Sequence, residues 1–122
     1  MDARNAQIAQ KVLDLAYNAA SNQEFNQNLK AQVPGVSKVE IQRALREYLK
    51  AGKGLPQNGQ QALRFLTYIP TSAFRESPIF ENFMKVMSPE EKKKIPNPSG
   101  IWGEQPLLHA KYQTLARILN RQ

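Results

Sequence analysis

His109 is the only histidine in the chain and there is no cysteine, so thiolate nucleophiles, disulfides and Cys/His zinc sites are removed together. A hydrolytic triad would need a serine, His109 and a carboxylate, but no Gly-x-Ser-x-Gly elbow presents the serine. Ser21, Ser37, Ser77 and Ser88 each stand where a helix cap is wanted. Asp2 and Asp14 are the only aspartates. The adjacent Glu90 and Glu91 fit the first turn of a helix, where carboxylates complement the dipole. Gly52-Lys53-Gly54 is too short for a phosphate-cradling loop and follows a helix rather than a strand. These residues predict a binding protein and not an enzyme, with no catalytic residue, no cofactor and no metal.

The side chains that do recur with a pattern are basic. Arg43, Arg46, Lys50 and Lys53 are spaced three, four and three. At 100° per residue their directions on a helix fall within about 80° of each other, opposite Ile41, Leu45, Tyr48 and Leu49. Four cations over roughly 15 Å would meet two to four phosphates along a nucleic-acid strand. Glu40 and Glu47 dilute this face, and Glu47 is placed to pair with Arg43 one turn away. Arg117 and Arg121, with Lys111 nearby, form a second basic pair on the last helix. Cations near a helix C-terminus also serve its dipole. Lys92-Lys93-Lys94 reads equally as a solvated helix end. Trp102 lies in the Pro/Gly-rich stretch 96–103 and is either a plug on the helices or a partner contact.

The elements that must position these residues are helical nearly throughout. Ile8, Val12, Leu15 and Ala19 mark a first helix over about 3–20, with Asp2 as its cap. Ser21 with Glu24 is a capping-box pattern for a second helix, which Pro34-Gly35 stops. Ser37 with Glu40 is another, with Val36 and Ile41 as a hydrophobic staple; Gly52 and Gly54 end this third helix. Asn58 with Gln61 starts a fourth helix, which Pro70 ends. A Ser/Thr-capped turn covers Thr71–Glu76. Ser77-Pro78 opens a fifth helix with proline at its first position, and Ser88-Pro89-Glu90-Glu91 opens a short sixth. A loop over 95–105 leads to a last helix from Pro106. Phe25, Phe65, Phe80 and Phe83 match apolar faces and belong to the core. No strand pattern and no internal repeat is present. The expectation is an all-α, compact bundle of five to seven helices in one domain, 1–122.

Length and charge agree with this reading. A chain of 122 residues supports one modest core. Seventeen Lys and Arg against ten Asp and Glu give +7, divided as +3 in the first 61 residues and +4 in the last 61, so the excess lies on the folded body. Such a balance favours polyanionic partners. No apolar run reaches the roughly 18–20 residues of a membrane span, and Met1-Asp2-Ala3-Arg4-Asn5 lacks the form of a secretory signal. The expected location is cytoplasmic, with no membrane partner.

The stretch Gly54-Leu55-Pro56-Gln57-Asn58-Gly59-Gln60-Gln61-Ala62-Leu63-Arg64-Phe65-Leu66 resembles a segment of the small helical subunits of CRISPR effector complexes, in which an Asn-Gly turn after a proline opens a Leu/Phe/Leu helix. Where that pattern has Leu after Asn-Gly, this chain has Gln60, and the spacing to Phe65 is one residue shorter. The resemblance implies a non-catalytic subunit in an antiviral ribonucleoprotein, whose basic faces hold guide or displaced-strand backbone. It transfers no site residue.

The functional expectation is a helical subunit of a larger nucleoprotein assembly that binds the phosphate backbone of single-stranded DNA or RNA without reading sequence. The alternative is a structural or adaptor subunit binding protein partners in a virion or other multiprotein machine. A third candidate is a helix-turn-helix DNA reader built from helices two and three around Pro34-Gly35-Val36.

Overall fold

Polar side chains set most of the helix starts. In the computed structural model, which describes residues 2–95 and Arg117, Asp2 caps α1 (Ala3–Asn18) by accepting from the Arg4 N–H at 3.1 Å. Ser21 caps α2 (Asn22–Gln32) by accepting from the Glu24 N–H at 3.1 Å. Ser37 does the same for α3 (Lys38–Lys50) through Glu40 at 3.2 Å, and Asn58 for α4 (Gly59–Tyr68) through Gln61 at 2.9 Å. A 3-10 turn (Thr71–Ala73), α5 (Ile79–Val86) and α6 (Pro89–Lys93) follow. Six helices and no strand are present among the described residues, so the chain is an all-α bundle. The predicted 95–105 loop and last helix, with Trp102, His109, Lys111 and Arg121, lie outside the described residues, apart from Ile95 and Arg117.

Two helix starts differ in detail from the sequence expectation. The turn after α4 begins at Pro70 with no side-chain cap, so it is not Ser/Thr-capped. Pro78 is itself the cap of α5 rather than its first residue. The Ser77 hydroxyl is turned away and donates to the Phe74 carbonyl at 2.7 Å.

α1 is the central element: α2, α3 and α4 all pack on it. Its deeply buried residues are Ala9, Val12, Leu13 and Ala16. The predicted face, Ile8 to Ala19, is therefore turned by about a quarter of a helix circumference, with Ile8 and Leu15 only half-buried. Alanines carry a weak signal in sequence, yet their small side chains let α3 approach closely. On the far side, Phe65 of α4, Phe74 after the 3-10 turn and Phe83 of α5 form a triad with ring centroids 4.9–6.2 Å apart. Tilted and edge-on contacts at this spacing suit the aromatic quadrupole. Phe25 of α2 stacks on Tyr68 at 5.0 Å. Phe80 packs at the rim of this core, half-buried.

Candidate nucleic-acid interface

α3 owes its position to Ile41, Ala44, Leu45 and Leu49, all buried, mostly against α1. That fixes the opposite side outward. Arg43, Arg46 and Lys50 are all exposed there, within about 60° of one another at 100° per residue. Lys53 is exposed as well, but it does not continue the helical stripe. α3 ends at Lys50 in a Schellman motif: the Gly52 N–H donates to Leu49 O at 2.9 Å and the Lys53 N–H to Tyr48 O at 3.2 Å. Gly52 takes φ +79°, which turns the chain back before Lys53.

The neighbours of the stripe are specific. Arg46 donates from Nε and Nη2 to the Ser72 carbonyl at 3.4 and 3.2 Å, which holds its guanidinium against the 3-10 turn while leaving it exposed. Lys50 Nζ lies 3.8 Å from Glu76, an exposed pair of the kind worth at most about 1 kcal/mol and weakened by salt. Arg43 and Lys53 have no ion pair or side-chain hydrogen bond among the described residues. The expected Glu47–Arg43 pair does not form. Glu47 instead accepts from Asn5 Nδ2 at 3.2 Å, and Glu40 lies 3.9 Å from Arg4. Both acids are thus engaged by α1, on one flank of the stripe. An open hollow of about 470 Å³ between Asp2, Asn5, Glu47 and Lys50 marks that acidic edge.

Of the secondary basic residues, Arg117 is exposed. In the lysine run, Lys93 and Lys94 are exposed but Lys92 is 8 % exposed, so the run is not wholly a solvated terminus. Arg64 has a structural task, donating to the carbonyl of Tyr17 near the end of α1 at 3.0 Å. Sequence reasoning missed Val39, which at 64 % exposure is the only large exposed apolar side chain among the described residues. On α3 it precedes Arg43 by one turn and points with the cations. A helical projection of α3 contains that signal. The helix-turn-helix arrangement is not formed: α3 packs chiefly on α1 and the 3-10 turn rather than on α2.

Tyr17 is partly buried and its hydroxyl donates to the Gly54 carbonyl at 2.6 Å; burial, then the nearby Asp14 charge, pushes its pKa far above the usual tyrosine value. Among the described residues no group of three His, Cys, Asp or Glu is placed to hold a metal ion, and no helix is long and apolar enough to cross a membrane. Comparisons with protein-family models, curated proteins and solved structures find no match to this chain.

Proposed function

We propose that this protein is a non-catalytic helical subunit that binds nucleic-acid backbone without reading sequence, within a larger nucleoprotein assembly. The observation that carries the reading is the outward side of α3, where Arg43, Arg46 and Lys50 are exposed together and Lys53 follows at the helix end. The acids of the same helix are engaged by α1. Arginine and lysine in this arrangement neutralise phosphates and release condensed counterions. The Ser72 carbonyl holds Arg46 in place before a strand arrives, which lowers the ordering cost of binding. Arg117 and Arg121 extend the proposed contact set.

The assembly part of the proposal rests on the sequence resemblance of residues 54–66 to small CRISPR effector subunits. On that reading the strand held is guide RNA or displaced single-stranded DNA, in a cytoplasmic antiviral defence complex.

The test is the salt dependence of binding to single- and double-stranded DNA and RNA. We expect an Arg43/Arg46/Lys50/Lys53→Ala protein to bind more weakly, with log Kobs against log salt flattened by about 0.7–0.9 for each phosphate no longer neutralised. A Lys30/Lys85→Ala protein should retain most of the wild-type slope. Equal affinity and slope in the wild-type and four-residue variants would end the proposal.

Val39 favours a second reading, a structural or adaptor subunit whose partner is protein and whose contact includes an exposed apolar residue. Here the purified protein would carry no nucleic acid, and its 260/280 absorbance ratio would not fall on washing at high salt.

A further inference from the structure

A recess of about 200 Å³ lies between α1 and the connection from α3 to α4. It is separate from the cationic face: Tyr48, one of its walls, diverges from Lys50 by about 160° around α3. Its aromatic walls are Tyr17 and Tyr48, and Leu13 and Leu55 supply the apolar part. Gln10, Asp14, Gln57 and Gln61 bring polar groups to it. Tyr17 is pinned by its hydrogen bond to Gly54 O and by stacking on Phe65 at 6.4 Å. The Gln57 N–H donates to Gln61 Oε1 at 2.9 Å, so that edge is ordered too.

Asp14 is the informative member. Its carboxylate is exposed and has no hydrogen bond or ion pair among the described residues, although the chain carries +7. A free carboxylate beside two tyrosine rings is attractive to an organic cation, because the ring faces carry the negative end of their quadrupole. The recess is smaller than the roughly 300–1,000 Å³ pockets that bury drug-sized molecules, so the ligand has few heavy atoms. A single carboxylate is too few for a calcium or magnesium ion held by protein ligands.

We propose that this recess binds a guanidinium or primary ammonium group carried on a short aliphatic arm. The arm lies along Leu55, and the cationic head meets Asp14 between the tyrosines. A guanidinium also presents two parallel N–H donors to the carboxylate. The source is either a free small cation or an arginine or lysine side chain of a partner protein. This inference is independent of nucleic-acid binding, and its failure leaves that reading untouched.

Calorimetric titration of the full chain tests it, using agmatine for the free cation and acetyl-glycyl-arginyl-glycinamide for the side chain. We expect saturable 1:1 binding of at least one. Asp14→Asn should weaken it about tenfold and Tyr48→Leu several-fold, while Asp14→Asn, a change at an exposed position, keeps the wild-type thermal transition. Amide chemical-shift changes confined to residues around Asp14, Tyr48 and Gly54 provide a second reading on wild-type protein. Binding of agmatine alone assigns a small-molecule ligand, and binding of the peptide alone assigns a protein side chain; both uphold the recess chemistry. No binding of either, unchanged affinity in Asp14→Asn, or preference for guanosine monophosphate over both overturns it.

Discussion

At Gly54 the backbone has φ +73°, and a Cβ there would lie 2.6 Å from Leu13 Cδ1 and 2.7 Å from Tyr48 Cε2. Both the conformation and the close approach demand glycine. Gly52 has φ +79° but open space around it, so only the backbone term applies. Gly54→Ala is therefore expected to destabilise by about 2–4 kcal/mol and Gly52→Ala by about 1 kcal/mol, measured by urea unfolding. Equal losses would show that packing at Gly54 is not tight. In sequence the two glycines look alike, as a pair after a helix. Only the approach of Leu13 and Tyr48, 41 and 6 residues away in the chain, distinguishes them. The same holds for Asp14, which reads as an ordinary polar residue of α1 until Tyr48 and Gln61 are brought beside it.

The helix starts show how far a local pattern reaches. Ser88 and Glu91 form the full reciprocal box of α6: Glu91 N–H donates to Ser88 Oγ at 3.2 Å, and Ser88 N–H to Glu91 Oε1 at 2.9 Å. Ser21 and Glu24 carry the same signature, but Glu24 reaches past Ser21 to accept from the Ala20 N–H at 2.8 Å. Gln61 likewise takes the Gln57 N–H rather than that of Asn58. The pattern fixes the cap, while the path of the preceding chain selects which N–H the longer side chain meets. The Glu91 carboxylate also packs on Gly59, the first residue of α4, where a Cβ would collide with it. We expect Ser88→Ala to cost about 1 kcal/mol. Gly59→Ala should act by displacing Glu91, so Gly59→Ala and Glu91→Ala should cost less together than the sum of the two. A double-mutant cycle with a coupling below about 0.5 kcal/mol would refute that link.

For the molecule as a whole, the response to alkali follows from its buried phenols. Tyr17 has its pKa raised by burial and then by Asp14; Tyr68 is raised by burial and Glu24, with Arg64 opposing. In the unfolded chain a tyrosine ionises near 10. The folded state holds its proton to higher pH, so the contribution is intact below about pH 10 and is lost as pH rises beyond it. Unfolding free energy should fall above about pH 10, and Tyr17→Phe should flatten that fall although it weakens the protein at neutral pH by removing the bond to Gly54 O. An unchanged slope in Tyr17→Phe would show that Tyr17 titrates alike in both states. The net charge is also a whole-molecule property. It is legible in sequence as +7 spread along the chain, but the separation of the α3 cations from the acids of the same helix depends on both acids turning to α1.

The all-α class, the caps Asp2, Ser21, Ser37, Asn58 and Ser88, and the exposure of Arg43, Arg46 and Lys50 follow from the order of residues, because they depend on contacts within a few positions and on helical period. Packing between distant segments sets which side of α1 is buried, the inclusion of Phe74 in the aromatic core and the recess at Asp14, whereas the reversal that removes Lys53 from the stripe is local, made by Gly52 and the hydrogen bonds that close the end of α3. Local periodicity leaves the competing faces and partners nearly equal in energy, and only the docking of residues far apart in the chain selects among them.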